Sequence, residues 1–232
     1  MRSFIVSDLD GTMLERNSTK LSPAVVKEIE KLVSKNHIFC VASGRSYVQL
    51  KKIFEPLRTV PIYFICCDGA LCIYKEETLF SHPIKFSVSD SEQAIAYGKY
   101  EVYSNDKIVP FYRNVIKEYN GHVLPLKDAD TKEVYKLVLK DSPLKEIQGL
   151  NRCLNKNNWQ EYIASGVDKG YAVKKLRELL NVTKEQTVVL GDAENDISMA
   201  GLGHSVLIGK NQRLKKYFDA EATDFISAIQ NL

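Results

Sequence analysis

The chain has 232 residues, 44% hydrophobic and 26% charged, with a formal net charge of +3. That length supplies a full core and room for one large domain with a small insert. The basic excess is too small and scattered to argue for nucleic acid, and no apolar run approaches bilayer-spanning length, so neither partner is expected. Cys40, Cys66, Cys67, Cys72 and Cys153 are odd in number and lack metal-type spacing. They read as buried reduced thiols, and with a short apolar start unlike a signal peptide they lead to an expected cytoplasmic location.

In chain order, Phe4 to Ser7 reads as a short apolar strand. Ser22-Pro23 then opens a helix: serine caps, proline sits in the first turn, and Val25, Val26, Ile29, Leu32 and Val33 recur at helical spacing until Asn36. A second strand is expected over 38–42, a helix over 46–55 ending at Pro56, and a third strand over 62–67, in which Cys66 and Cys67 would face opposite ways. Strands alternating with helices predict parallel βαβ units. From about Ser81 to Ser165 the segments are shorter and more polar. Helices are expected near 89–99 and 143–156, and strands at 100–104, 134–140 and 159–164. The alternation then returns, with helices at 170–180, 194–200 and 224–231 and strands at 187–190 and 205–208. The expected fold is α/β: a Rossmann-like open parallel sheet formed by 1–80 and 166–232, with an α+β insert over 81–165.

Four expected strands end in small polar or acidic groups. These are Ser7-Asp8-Leu9-Asp10-Gly11-Thr12, Ser43-Gly44-Arg45, Asp68-Gly69-Ala70, and Gly191-Asp192 followed by Asn195-Asp196. Ligands of open α/β sheets bind beyond the carboxyl ends of strands, so these groups converge on one rim. Carboxylates, hydroxyls and glycines together suit a hard cation and an oxyanion.

The run DLDGTML from Asp8, SGR at 43–45, Lys169 in DKGYA and GDAEND at 191–196 resemble, in order, the four motifs of the haloacid dehalogenase superfamily of phosphohydrolases. The resemblance spans the chain, and an insert between the second and third motifs is similar to the Cof-type branch with its α/β cap. It implies a Mg²⁺-dependent phosphatase of small phosphorylated metabolites, sugar phosphates foremost. Asp8 would be the nucleophile and Asp10 the proton donor and acceptor. Thr12, Ser43, Gly44, Lys169 and Asn195 would bind phosphate, and the metal site would draw on Asp8, Asp10, Asp192 and Asp196. Arg45 would contact substrate or cap, or pair with a surface acid.

The family commonly carries asparagine at the position of Asp68. An extra carboxylate there repels an anion unless paired, so Asp68 is expected to bond substrate hydroxyls or the hinge. In the insert, His82, Arg113 and Lys136 are candidates to reach substrate. Most of Tyr97, Tyr100, Tyr103, Tyr112, Tyr119, Tyr135, Tyr162 and Trp159 are expected to be core. Two other functions stay open at this point: a phosphosugar mutase of the same fold, and a sugar-phosphate sensor without catalysis. Oligomeric state is not legible.

Overall fold

The structure, a computed structural model, describes residues 2–15, 18–89, 92–105, 117, 119, 122–142, 146–156 and 158–230. Tyr112 and Arg113 lie outside them. Strands β1 (Phe4–Ser7), β2 (Ile38–Ala42) and β3 (Ile62–Cys66) sit side by side and parallel. On the other side of β1 lie β12 (Thr187–Gly191), β13 (His204–Ile208) and β14 (Ala220–Ala222), also parallel. The hairpin β4 (Leu71–Tyr74) and β5 (Glu77–Ser81) adds two antiparallel edge strands, giving the order β14-β13-β12-β1-β2-β3-β4-β5. The chain leaves β1 toward β2 and returns on its far side as β12. The carboxyl end of β1 is therefore the switch point of the sheet, where a crevice opens.

Helices cover both faces because the strands alternate. Ile5 and Phe39 pack with Val25, Ile29 and Leu32 of α1 (Pro23–Ser34). Phe4, Val6 and Cys40 pack with Ala172, Val173 and Leu176 of α3 (Lys169–Leu179). Ser22 caps α1 by accepting from the Val25 N–H, with Pro23 in the first turn, as the sequence predicts. Ser46 caps α2 (Tyr47–Ile53) through a capping box with Gln49. Short α4 (Ile197–Ala200) and α5 (Phe225–Gln230) complete the layer.

The second sheet has the order β10-β11-β9-β6-β7-β8 and is antiparallel except between β7 and β8. Its strands are β6 (Gln93–Gly98), β7 (Val102–Ser104), β8 (Val123–Pro125), β9 (Val134–Lys140), β10 (Leu150–Lys156) and β11 (Trp159–Ala164). The expected helices near 89–99 and 143–156 are corrected here. Residues 93–98 and 150–156 are strands, because both pair along their length with β9 or β11, and ladder formation overrides local preference. Cys66 and Cys67 are also corrected. Cys67 leaves β3 into a turn with φ of 50°, and both thiols enter the same apolar cluster. The aromatics are mostly core as expected: Tyr97, Tyr103, Tyr119, Tyr135 and Tyr162 are buried, while Tyr100 is exposed.

Gly170 sets how closely α3 approaches α4. A Cβ there would lie 2.1 Å from the Ser198 carbonyl oxygen, while the Gly170 N–H bonds Ser198 Oγ at 3.1 Å. Gly170→Ala gains at most about 1 kcal/mol of helix propensity. Overpacking against backbone costs about 1–3 kcal/mol. The variant is expected to be destabilised, read as a lower urea midpoint at unchanged slope.

Candidate active site

The expected rim forms at the carboxyl ends of β1, β2, β3 and β12. The Asp8 N–H bonds the Leu190 carbonyl at 2.9 Å, continuing the β1–β12 ladder and fixing Asp8 at the crevice. The chain then turns back on itself, with Met13 and Leu14 N–H groups both bonding the Leu9 carbonyl. Gly11, at φ of 94°, lets this turn lie against Asp192, where a Cβ would sit 2.3 Å from a carboxylate oxygen.

Lys169 is the first residue of α3, and Asp168 caps that helix by accepting from the Tyr171 N–H at 2.7 Å. Its side chain is 1% exposed and donates to Asp8 Oδ1 at 2.6 Å and to Asp196 Oδ1 at 2.8 Å. An ammonium has three donors, so one remains beyond these two carboxylates. Asp196, fully buried, uses its second oxygen to accept the N–H groups of Asp192 and Ala193, both at 3.0 Å. It thereby holds both the lysine and the loop that carries Asp192.

Asp8, Asp192 and Asp196 have carboxylate oxygens within 4.8 Å of one another. Burial pushes the Asp8 carboxyl up. Lys169 pulls it back, Asp196 and Asp192 raise it again, and the balance leaves it at about 8. Burial would also lower the Lys169 ammonium, but Asp8 and Asp196 outweigh it and hold the group above its ordinary value. The cluster carries more negative charge than its lysine balances.

Among the other expected site residues, Thr12 Oγ1 donates to Asp192 Oδ1 at 3.2 Å. Ser43 is buried and its hydroxyl oxygen accepts the Arg45 N–H at 3.2 Å. Of the alternatives open for Arg45, an acid partner is what the geometry supplies. Its guanidinium grips Asp10 through both carboxylate oxygens, at 2.8 and 2.7 Å. Asp68 is paired: Lys136 of β9 donates to its Oδ2 at 2.9 Å, and the Asn195 side chain also bonds it. Burial would raise the Asp68 carboxyl, but Lys136 and Lys169 hold it below its usual range. His82 packs edge-on against Tyr171, with its backbone N–H on the Ala70 carbonyl. Glu161, which also pairs with Lys136, was missed by sequence reasoning; its signal was a carboxylate between Trp159 and Ile163 on one face of β11.

The profile of the haloacid dehalogenase-like hydrolases matches residues 5–223. Phosphoglycolate phosphatase 2 of Saccharolobus solfataricus is 26% identical, over 84% of this chain and 74% of its own. A haloacid dehalogenase-like hydrolase from Bacteroides thetaiotaomicron superposes with a TM-score of 0.85 at 18% identity, covering 100% of this chain and 99% of the other. A sugar phosphatase of haloacid dehalogenase subclass IIB superposes with a TM-score of 0.77 at 16% identity, covering 99% and 98%. With its motifs gathered at one crevice and a profile match along nearly its whole length, the chain belongs to the haloacid dehalogenase-like hydrolases, in their Cof-type phosphatase branch.

Proposed function

We propose that this phosphatase hydrolyses phosphate monoesters of small metabolites, sugar phosphates foremost, with Mg²⁺ and with Asp8 as nucleophile. The observation that carries the reading is the charge imbalance at Asp8: three carboxylates crowd together against one buried ammonium. The donors fit a hard dication, being oxygen ligands with surplus negative charge. The Asp8 and Asp192 carboxylates and the Asp10 backbone carbonyl would hold it. Asp196, with both oxygens already bonded to Lys169 and two amides, is assigned to positioning these groups. When bound, the cation offsets the repulsion between two approaching anions and draws charge from the phosphoryl oxygens.

The remaining roles belong to the chain's own residues. Asp8 attacks phosphorus as the ester oxygen departs, and Asp10 gives that oxygen a proton. Water then opens the aspartyl phosphate and returns a proton to Asp10. Arg45 orients Asp10 through its fork, and the third donor of Lys169 meets a phosphoryl oxygen. Ser43, the Gly44 N–H and Asn195 line the same oxygens, while Thr12 reaches them beside Asp192. Residues 81–165 act as a cap over a core of 1–80 and 166–232. The insert reaches the core where the Tyr119 hydroxyl bonds that of Ser46 and where Lys136 of β9 bonds the Gly44 carbonyl.

Three outcomes are expected. Asp8→Asn abolishes phosphate release from p-nitrophenyl phosphate and from a metabolite panel, a loss of several orders of magnitude. A wild-type chain that releases no phosphate with Mg²⁺ present would sink the reading. Mg²⁺ raises thermal stability independently of turnover, by about 2.7 kcal/mol at a hundredfold excess over its dissociation constant. Asp192→Asn removes most of that rise, read by differential scanning calorimetry. Lys169→Met leaves Asp8 and Asp196 buried without their cation and costs about 3–5 kcal/mol, measured by urea unfolding, along with activity.

A further inference from the structure

Lys136 stands in the middle of β9, buried, and the chemistry above makes no use of it. Its ammonium has three N–H donors, and each has a partner. These are the Gly44 carbonyl at 2.9 Å, Asp68 Oδ2 at 2.9 Å, and the Glu161 carboxylate. No donor is left for a substrate, which corrects the expectation that Lys136 reaches one. Asp68, Cys153 and Glu161 also bring potential ligand atoms within 4.8 Å of one another. The ammonium bonded to both carboxylates already supplies the cation there. Burial, with Asp68 beside it, pushes the Cys153 thiol up and away from the thiolate a metal requires.

What Lys136 holds is a turn. The Cys67 N–H bonds the Arg45 carbonyl at 2.9 Å and the Asp68 N–H bonds the Ser43 carbonyl at 3.0 Å, joining the segments after β2 and β3. Lys136 adds a third tie between them, from Gly44 to the Asp68 carboxylate, and it comes from the other sheet. We propose that Lys136 is a positioning residue. By docking on Gly44 and Asp68 it sets the shape of the 43–45 turn, so that Ser43 and the Gly44 N–H align on phosphate only with β9 in place. The kinetic part of this inference rests on the hydrolase reading of the site.

The test uses the full chain with Mg²⁺ and compares wild type, Lys136→Met and the double variant Lys136→Met/Asp68→Asn. Three quantities are read: steady-state kinetics on p-nitrophenyl phosphate and a panel of sugar phosphates, inorganic phosphate affinity by calorimetry, and urea stability. Lys136→Met is expected to lower kcat by about 100-fold, with KM changing far less, because a misplacement of about 1 Å costs that much. Inorganic phosphate should bind roughly tenfold more weakly. The double variant no longer strands the Asp68 charge. It should recover part of the lost stability, Glu161 still lacking its ammonium, without recovering kcat, and it decides the matter if the single variant fails to fold. A double variant with wild-type kcat and phosphate affinity would overturn the proposal, leaving Lys136 a mere neutraliser of Asp68. An altered substrate ranking at undiminished kcat would overturn it in favour of recognition. If wild type binds inorganic phosphate but turns over no ester, the hydrolase reading falls and phosphate affinity alone decides the positioning role.

Discussion

The site depends on one buried ammonium. Lys169 lies between Asp8 and Asp196, at 2.6 and 2.8 Å, and almost no water reaches it. Desolvating three charged groups is costly, and only close mutual pairing offsets it. The pairing draws together the end of β1, the start of α3 and the loop after β12, segments far apart in the chain. Gly170 lets α3 sit close enough to α4 for the lysine to reach. The same arrangement leaves a surplus of negative charge once Asp192 is counted, and burial, with Asp196 and Asp192 adding to it against the pull of Lys169, pushes Asp8 up to about 8. A carboxylate tuned in this way is a poor nucleophile alone and a good ligand for a dication. Under the proposed function, the lysine and the cation therefore divide the work of keeping Asp8 ionised.

A second buried ammonium repeats the logic a short way off. Lys136 faces Asp68 and Glu161 as Lys169 faces Asp8 and Asp196, and in both cases the carboxylates outweigh burial and keep the lysine charged. The two sets are coupled, since Asp68 is held down by Lys136 first and by Lys169 as well. Asn195, which neighbours Asp196 in sequence, bonds Asp68 and so bridges the clusters. A change at Lys136 of the second sheet is thus felt electrostatically at Asp68 and, through it, at Lys169.

Much of the large sheet was legible because its strands are short, apolar and bounded by turn residues. Asp8, Ser43, Asp68 and Asp192 could be placed on one rim from periodicity and the strand-end rule alone. The second sheet misled for identifiable reasons. In β10, Leu150, Cys153 and Leu154 fall at helical spacing, because a register shift between Arg152 and Leu154 breaks the alternation a strand would show. Before β6, the Glu92 carboxylate accepts from the Ser89 N–H and hydroxyl, which supplies one of the two contacts of a helix capping box, ahead of alanines that favour helix. Pairing with β9 decides that segment instead. Lys136 carried a signal that was only half read. A lysine inside VYKLVLK interrupts a strand that is otherwise almost wholly apolar, and such a lysine is buried only when paired.

The turn after β3 shows why an aspartate stands at position 68. Cys67 and Asp68 adopt φ of 50° and 53°, a left-handed conformation that costs non-glycine residues of order 1 kcal/mol each. Such strain persists only where the surroundings over-determine it. Here two backbone bonds to the 43–45 turn do so, together with the carboxylate bonded to Lys136. An amide at this position could still accept one hydrogen bond, but it would leave Lys136 with Glu161 as its one ion-pair partner among the described residues and weaken the tie that holds the turn. The charge of Asp68 is therefore spent inside the protein, on joining the two sheets.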